Sequence, residues 1–141
     1  MSNTESWIDR HAALLTDQYE LTMAASYFAE RMFAPATFSF FVRTYAPGRG
    51  YTVAAGLESV LRYLDSFHFE DDDLDYLRRS GMYGEEFLSY LRDLRFTGDV
   101  YAIPEGTLVF ANEPLIEITA PLIEAQIVET FVINQLNLHS L

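Results

Sequence analysis

Tyr19 stands just inside a stretch whose chemistry marks a helix entrance, Leu14-Leu15-Thr16-Asp17-Gln18-Tyr19-Glu20-Leu21-Thr22-Met23. Asp17 can accept from the free backbone N–H groups of a first turn, and Glu20 can reach back to the cap. Tyr19 then lies where the helix dipole is positive and unpaired donors cluster. A flat ring beside such a pole suits a planar anionic ligand. Further on, Phe40-Phe41-Val42-Arg43 ends an apolar run on a guanidinium, and Pro47-Gly48-Arg49-Gly50-Tyr51 holds another in a turn. Guanidinium offers paired donors that match phosphate oxygens. Each residue also has a plain reading: Tyr19 as an amphipathic ring at a helix start, Asp17 as a helix cap, Arg43 as a charge snorkelling to solvent, Arg49 as a solvated turn residue.

Other chemistry-bearing residues point elsewhere. Glu70-Asp71-Asp72-Asp73-Leu74-Asp75 is dense in carboxylates. Oxygen-ligand metal loops space their carboxylates around a turn glycine, which is absent here, so the cluster reads as the acidic start of a helix. His11, His68 and His139 have no metal-ligand spacing and read as surface or packing residues. No metal site is expected, and no nucleophile-elbow serine or Gly-x-Gly-x-x-Gly pattern occurs.

Composition narrows the field. The 141 residues suffice for one domain with a core, and half of them are hydrophobic. The formal net charge of −12 argues against a nucleic-acid partner. No apolar run reaches the roughly 20 residues of a membrane span, and Met1 to Arg10 holds no signal-peptide core. With no cysteine there is no disulfide framework or thiolate metal site. These features fit a cytoplasmic protein. All nine positive side chains are arginine. Without lysine, Schiff-base chemistry, a P-loop and a lipoyl or biotinyl carrier are all excluded.

The elements that must position these residues follow from periodicity. Residues 1–13 read as a loose polar lead. A helix is predicted over 18–32, with apolar positions Tyr19, Met23, Tyr27 and Leu21, Ala24, Phe28, ended by Pro35. A strand is predicted over 36–45, with Phe38, Phe40 and Val42 on one face and Thr37, Ser39, Phe41 and Arg43 on the other. A short strand follows over 51–55, and Gly56 opens a helix to Phe67. Two more helices are predicted over 70–80 and 84–94. Strands are predicted over 99–103, 108–110 and 115–119, joined by turns at Pro104-Glu105-Gly106 and Asn112-Glu113-Pro114. Pro121 starts a last helix to the C-terminus, with Ile127, Val128, Phe131, Val132 and Leu136 as a broad apolar stripe. The chain reads as a single α+β domain of helices and short, mostly antiparallel strands.

Five stretches in order resemble one family. They are the Thr-Asp-x-Tyr-x-x-Thr-Met form at 16–23, the aromatic strand ending at Arg43 with Ala55-Gly56-Leu57 after it, residues 98–106, residues 113–118 and residues 121–130. Together they resemble the N-terminal domain of nicotinate phosphoribosyltransferase, over nearly the whole chain after residue 12. The resemblance implies the hammerhead-like α/β domain of a type II phosphoribosyltransferase, packed against the barrel of the other subunit of a homodimer. It implies an enzyme joining nicotinate to 5-phosphoribosyl 1-pyrophosphate, ATP-coupled and Mg²⁺-dependent, in NAD salvage. The tyrosine matching Tyr19 stacks on the pyridine ring across the dimer, and the arginine matching Arg43 holds phosphate or pyrophosphate oxygens. Asp17 would support the site from behind or cap its helix, and Arg49 would assist Arg43.

The resemblance also implies what this chain lacks. The family's phosphate-binding loops, its phosphorylated histidine and its other substrate arginines lie in the barrel, so no catalytic residue is expected here. The 141 residues alone are expected to be inactive and to bind neither ATP nor Mg²⁺. Helix 121–141 is expected to lead towards that barrel and to expose apolar surface. Two rival classes stay open: part of an enzyme needing a barrel, in the same or a separate polypeptide, and a free-standing binding module. Nicotinamide and quinolinate enzymes share the architecture. Choosing nicotinate rests on residues 98–130.

Overall fold

In the computed structural model, which describes residues 10–140, five α-helices surround two small antiparallel sheets. After a 3-10 turn at Ala12–Leu14 come α1 (Gln18–Ala29), β1 (Pro35–Phe41), β2 (Thr52–Val53) and α2 (Leu57–Ser66). Then follow α3 (Asp71–Ser80), α4 (Glu85–Asp93), β3 (Asp99–Ala102), β4 (Leu108–Val109), β5 (Pro114–Pro121) and α5 (Leu122–Ser140). The larger sheet has the order β1-β5-β3, and β2 pairs with β4. The α+β class expected from the sequence is the observed one.

β1 alternates as its pattern predicts, with Phe38 opposite Ile118 and Phe40 opposite Ile116. It ends at Phe41 and not at Tyr45. The register shifts between Phe40 and Phe41, where the partner is Pro114. Proline has no N–H to extend the ladder, so regular pairing stops there. The predicted helix over 18–32 also ends early, at Ala29. Arg31 takes a left-handed turn (φ 56°), and the N–H groups of Arg31 and Met32 bond back to the carbonyls of Phe28 and Tyr27. This is a Schellman ending built on an arginine. The buried face of α1 also differs from expectation: Glu20, Leu21 and Ala24 point inward, while Tyr19 and Met23 are exposed.

α5 is the centre of the fold. All six residues from Ile123 to Val128 are buried, followed by Val132 and Leu136. It packs against α1, α2, β1 and β5. Its first turns are enclosed on all sides and belong inside a core, while Asn134 and Leu138 further along face solvent. The apolar surface expected on this helix lies, among the described residues, mainly at exposed Leu138 and at part-exposed Phe131 and Ile133; Leu141 lies outside them. The polar lead needs a correction too. Residues 1–9 lie outside the described residues, but His11 and Ala13 are buried. His11 Nδ1 lies 2.6 Å from Asp73 Oδ1, and Asp73 Oδ2 accepts from Glu70 N–H at 2.9 Å. The acidic cluster is thus a helix start, as predicted, with one member tied into the core.

Glu124 lies in the buried first turn of α5 and accepts from the backbone N–H of Thr97 at 2.7 Å and from its hydroxyl at 3.1 Å. Burial still pushes its carboxyl above the usual range, against those two bonds. Glu20 is shifted the same way for the same first reason.

Two outcomes are expected. Gly56 sits at φ 93°, and a Cβ there would come within 2.8 Å of the Gln135 carbonyl oxygen, which is backbone and cannot swing away. Gly56→Ala should cost about 1–3 kcal/mol in urea unfolding. Gly50→Ala, in the turn before β2 with no left-handed φ and open space around it, should cost little. The second outcome concerns pH. The folded state holds the protons of Glu20 and Glu124 to higher pH than the unfolded chain does, so stability should fall as pH rises from the usual carboxylate range through the raised values. The urea midpoint should be higher near pH 5 than near pH 7; a midpoint rising with pH would contradict this.

Candidate substrate-binding site

Tyr19 is the second residue of α1, and its side chain is 51% exposed. Asp17 occupies the cap position, and its carbonyl accepts from Glu20 N–H at 3.0 Å. The side-chain capping box predicted for this turn does not form. The Asp17 carboxylate instead accepts from the Thr130 hydroxyl of α5 at 3.2 Å, and Asp17 N–H donates to the same oxygen at 3.3 Å. Glu20 turns inward to the Thr16 hydroxyl, which also lies 3.1 Å from the Ile127 carbonyl. The physical reason is the proximity of α5. Its threonine and its backbone carbonyl offer long-range partners that compete with local capping.

Tyr19 borders a groove of about 420 Å³ between α1 and α5, lined also by Asp17, Glu129, Thr130, Asn134 and Asn137. The ring gives a flat apolar face, and the threonine and asparagines give neutral donors and acceptors. The electrostatics are negative throughout. Burial and then the charge of Glu20 push Glu129 upward. Burial, followed by the charges of Glu129, Glu20 and Asp17, pushes the Tyr19 phenol upward. The groove can therefore hold a planar ring by its face but has no positive charge of its own for an anion.

The arginines are not part of this groove. Arg43 follows β1, is exposed, and makes no hydrogen bond or ion pair among the described residues. Arg49 is engaged elsewhere. Its guanidinium points at the carbonyls of Tyr51 (3.2 Å) and Ser140 (3.4 Å) and at the Thr52 hydroxyl (3.4 Å), with the Tyr45 ring centre 6.0 Å away. It ties the turn before β2 to the C-terminal end of α5, where the helix dipole favours a cation. Of the four candidates, the structure brings Asp17 and Tyr19 together and leaves Arg43 and Arg49 apart from them.

Sequence reasoning gave Glu20 only a capping role and passed over Thr130, Glu129 and the asparagines of α5. One signal was present. Glu20 precedes Ala24 by four residues, on the same face as Leu21 and Phe28, so a carboxyl was due to face the core. Thr130 and Glu129 had none, because their role depends on which helix packs beside α1. Among the described residues no group of three or more His, Cys, Asp or Glu is placed to hold a metal ion.

A family model described as the nicotinate phosphoribosyltransferase (NAPRTase) N-terminal domain matches residues 14–137. The nicotinate phosphoribosyltransferase pncB2 of Mycobacterium tuberculosis is 55% identical over 128 residues, covering 91% of this chain and 28% of that protein. The nicotinate phosphoribosyltransferase of Bacillus subtilis is 43% identical over 134 residues, covering 94% of this chain and 27% of that protein. Among solved structures, human nicotinic acid phosphoribosyltransferase superposes with a TM-score of 0.76 at 34% identity, over 86% of this chain and 25% of that one. The chain thus spans little more than a quarter of the length of these relatives. Its match runs through the Tyr19 turn, both sheets and most of α5, and the chain belongs to the nicotinate phosphoribosyltransferase family, as its N-terminal domain.

Proposed function

We propose that this domain serves an enzyme of NAD biosynthesis that joins nicotinate to 5-phosphoribosyl 1-pyrophosphate, and that Tyr19 is its contact with the pyridine ring. The carrying observation is Tyr19 itself, a half-exposed ring at a helix start, held over a groove by the bonds between Asp17 and Thr130. An aromatic face orients a planar ring without needing charge. In the reaction the ring nitrogen attacks the anomeric carbon as pyrophosphate leaves. A stacked ring keeps that nitrogen in line.

The charges around Tyr19 support a division of labour. Nicotinate and phosphoribosyl pyrophosphate are both anions, and the groove is acidic. The groups that neutralise them must come from another surface, which in this reading is the barrel of a partner subunit in a homodimer. Arg43, exposed and without an internal partner, fits a contact with phosphate oxygens across such an interface. Mg²⁺ and ATP belong to the barrel in this reading. No helix among the described residues is long and apolar enough to cross a membrane.

Tyr19→Ala in the complete enzyme should raise the KM for nicotinate about three- to tenfold, the loss of one ring contact, with little change in thermal stability. Unchanged kinetics would remove Tyr19 from the site. Arg43→Ala should raise the KM for phosphoribosyl pyrophosphate about tenfold and leave nicotinate affinity nearly intact. Residues 1–141 alone should show no nucleotide formation, and activity from them would overturn the assignment of catalysis to the barrel.

A further inference from the structure

Glu20 is fully enclosed, and no ion pair reaches it among the described residues. Every ionisable group that faces it is acidic or a phenol: Asp17 and Tyr19 beside it on the chain, Glu129 on α5, and Tyr63 on α2. The Tyr63 hydroxyl is buried without a hydrogen-bond partner. An ionised carboxylate here would be buried among like charges with no cation beside it, compensated only by the hydroxyls of Thr16 and Thr130 and the Asp17 N–H.

The hydrogen count gives an independent constraint. A threonine hydroxyl has one hydrogen. That of Thr16 has two acceptors in reach, Ile127 O at 3.1 Å and Glu20 Oε2 in very close contact. That of Thr130 points at Asp17 Oδ2 at 3.2 Å and is also within reach of Glu20. An ionised Glu20 only accepts, so it would draw hydrogens that Ile127 and Asp17 are placed to receive. A protonated Glu20 brings its own. Its Oε2–H donates to Thr16 Oγ1, Thr16 donates on to Ile127 O, and Thr130 is left for Asp17.

We propose that Glu20 is the neutral acid in the folded protein, and that its relay through Thr16 to Ile127 is what positions Tyr19 for its ring ligand. Glu20 is thus a positioning residue. It acts by locking the turn 16–20 onto α5, with Tyr19 the adjoining residue; the Tyr19 hydroxyl reaches Glu20 Oε1 only at 3.5 Å, the limit of a hydrogen bond. Burial pushes the Glu20 carboxyl upward, against the Thr16 and Thr130 hydroxyls and the Asp17 N–H that pull it down. The positioning role rests on the proposed ring-stacking by Tyr19; the protonation state does not.

The test has two arms, both on the complete enzyme at neutral pH. Infrared difference spectroscopy between the wild type and Glu20→Gln should show a protonated-carboxyl carbonyl band that the variant loses. A difference showing an ionised carboxylate band overturns the proposal, whatever the kinetics. In the second arm Glu20→Met, which cannot donate to Thr16, should raise the KM for nicotinate about tenfold and leave that for phosphoribosyl pyrophosphate near the wild-type value. Glu20→Gln keeps a donor at that place and should recover most of the loss. Glu20→Gln as impaired as Glu20→Met overturns the relay. A Tyr19→Ala enzyme with unchanged kinetics overturns the stacking reading and the positioning role with it, while the infrared band alone decides the proton.

Discussion

The burial of the first turns of α5, Ile123 to Val128, is the constraint on which the other elements depend. A helix packed against two helices on one side and a sheet on the other fixes the distance and angle between those layers. α1 meets it through Thr16, Asp17 and Glu20, and the larger sheet meets it through Phe38, Phe40, Ile116 and Ile118. α2 approaches so closely that position 56 has no room for a Cβ. At the far end, Ser140 exchanges hydrogen bonds with both backbone groups of Ala55 at 3.0 Å, and Arg49 and Thr52 reach the Ser140 carbonyl. One helix therefore anchors the Tyr19 turn near its start and the Arg49 turn at its end, which keeps these two turns apart.

That arrangement decides what each candidate can do. Tyr19 stands on a turn with two long-range hydrogen-bonded contacts and a buried carboxyl beneath it, so its backbone is held while its ring stays half in solvent. Rigid support under an exposed aromatic ring suits recognition better than packing, since a packing ring would be turned inward as Tyr63 is, stacked on Phe131 with centres 3.8 Å apart. Arg49 is the opposite case. Its guanidinium is spent on carbonyls and a hydroxyl of its own chain, and a ligand would have to compete with them.

Much of the fold was legible in the sequence because period and punctuation agree there. Phe38 and Phe40 alternate with Thr37 and Ser39, and β1 is buried in that rhythm. Gly56, Gly81 and Pro35 fall at or beside element ends. What failed depended on partners distant in the chain. Asp17 and Glu20 have the spacing of a capping box, yet each finds its partner elsewhere, Asp17 on α5 and Glu20 in a hydroxyl that itself leans on α5. His11 precedes an apolar run, but nothing local points to its partner, because that carboxylate lies 62 residues away. The apolar stripe of α5 was legible, but whether it faced a core within the chain or a further domain was not, because both would select the same residues.

The sign of the charge around Tyr19 carries the last step. If the proposed function holds, two anionic substrates cannot be gathered by a surface holding Asp17 and Glu129 unless cations face it from outside. A neutral Glu20 lowers that repulsion without leaving a buried charge, because it removes the carboxylate nearest the turn and keeps the hydrogen bonds that hold it. The same acidity then has a use. Charge repulsion would keep phosphoribosyl pyrophosphate, the more highly charged substrate, away from the ring-binding face and favour its binding on a basic partner surface. In the proposed reading the aromatic contact needs no charge, so Tyr19 would order the pyridine while the phosphates stay on the partner surface. In the proposed function the acidic groove would be a selective element, one that holds a flat ring by its face and turns away a polyphosphate.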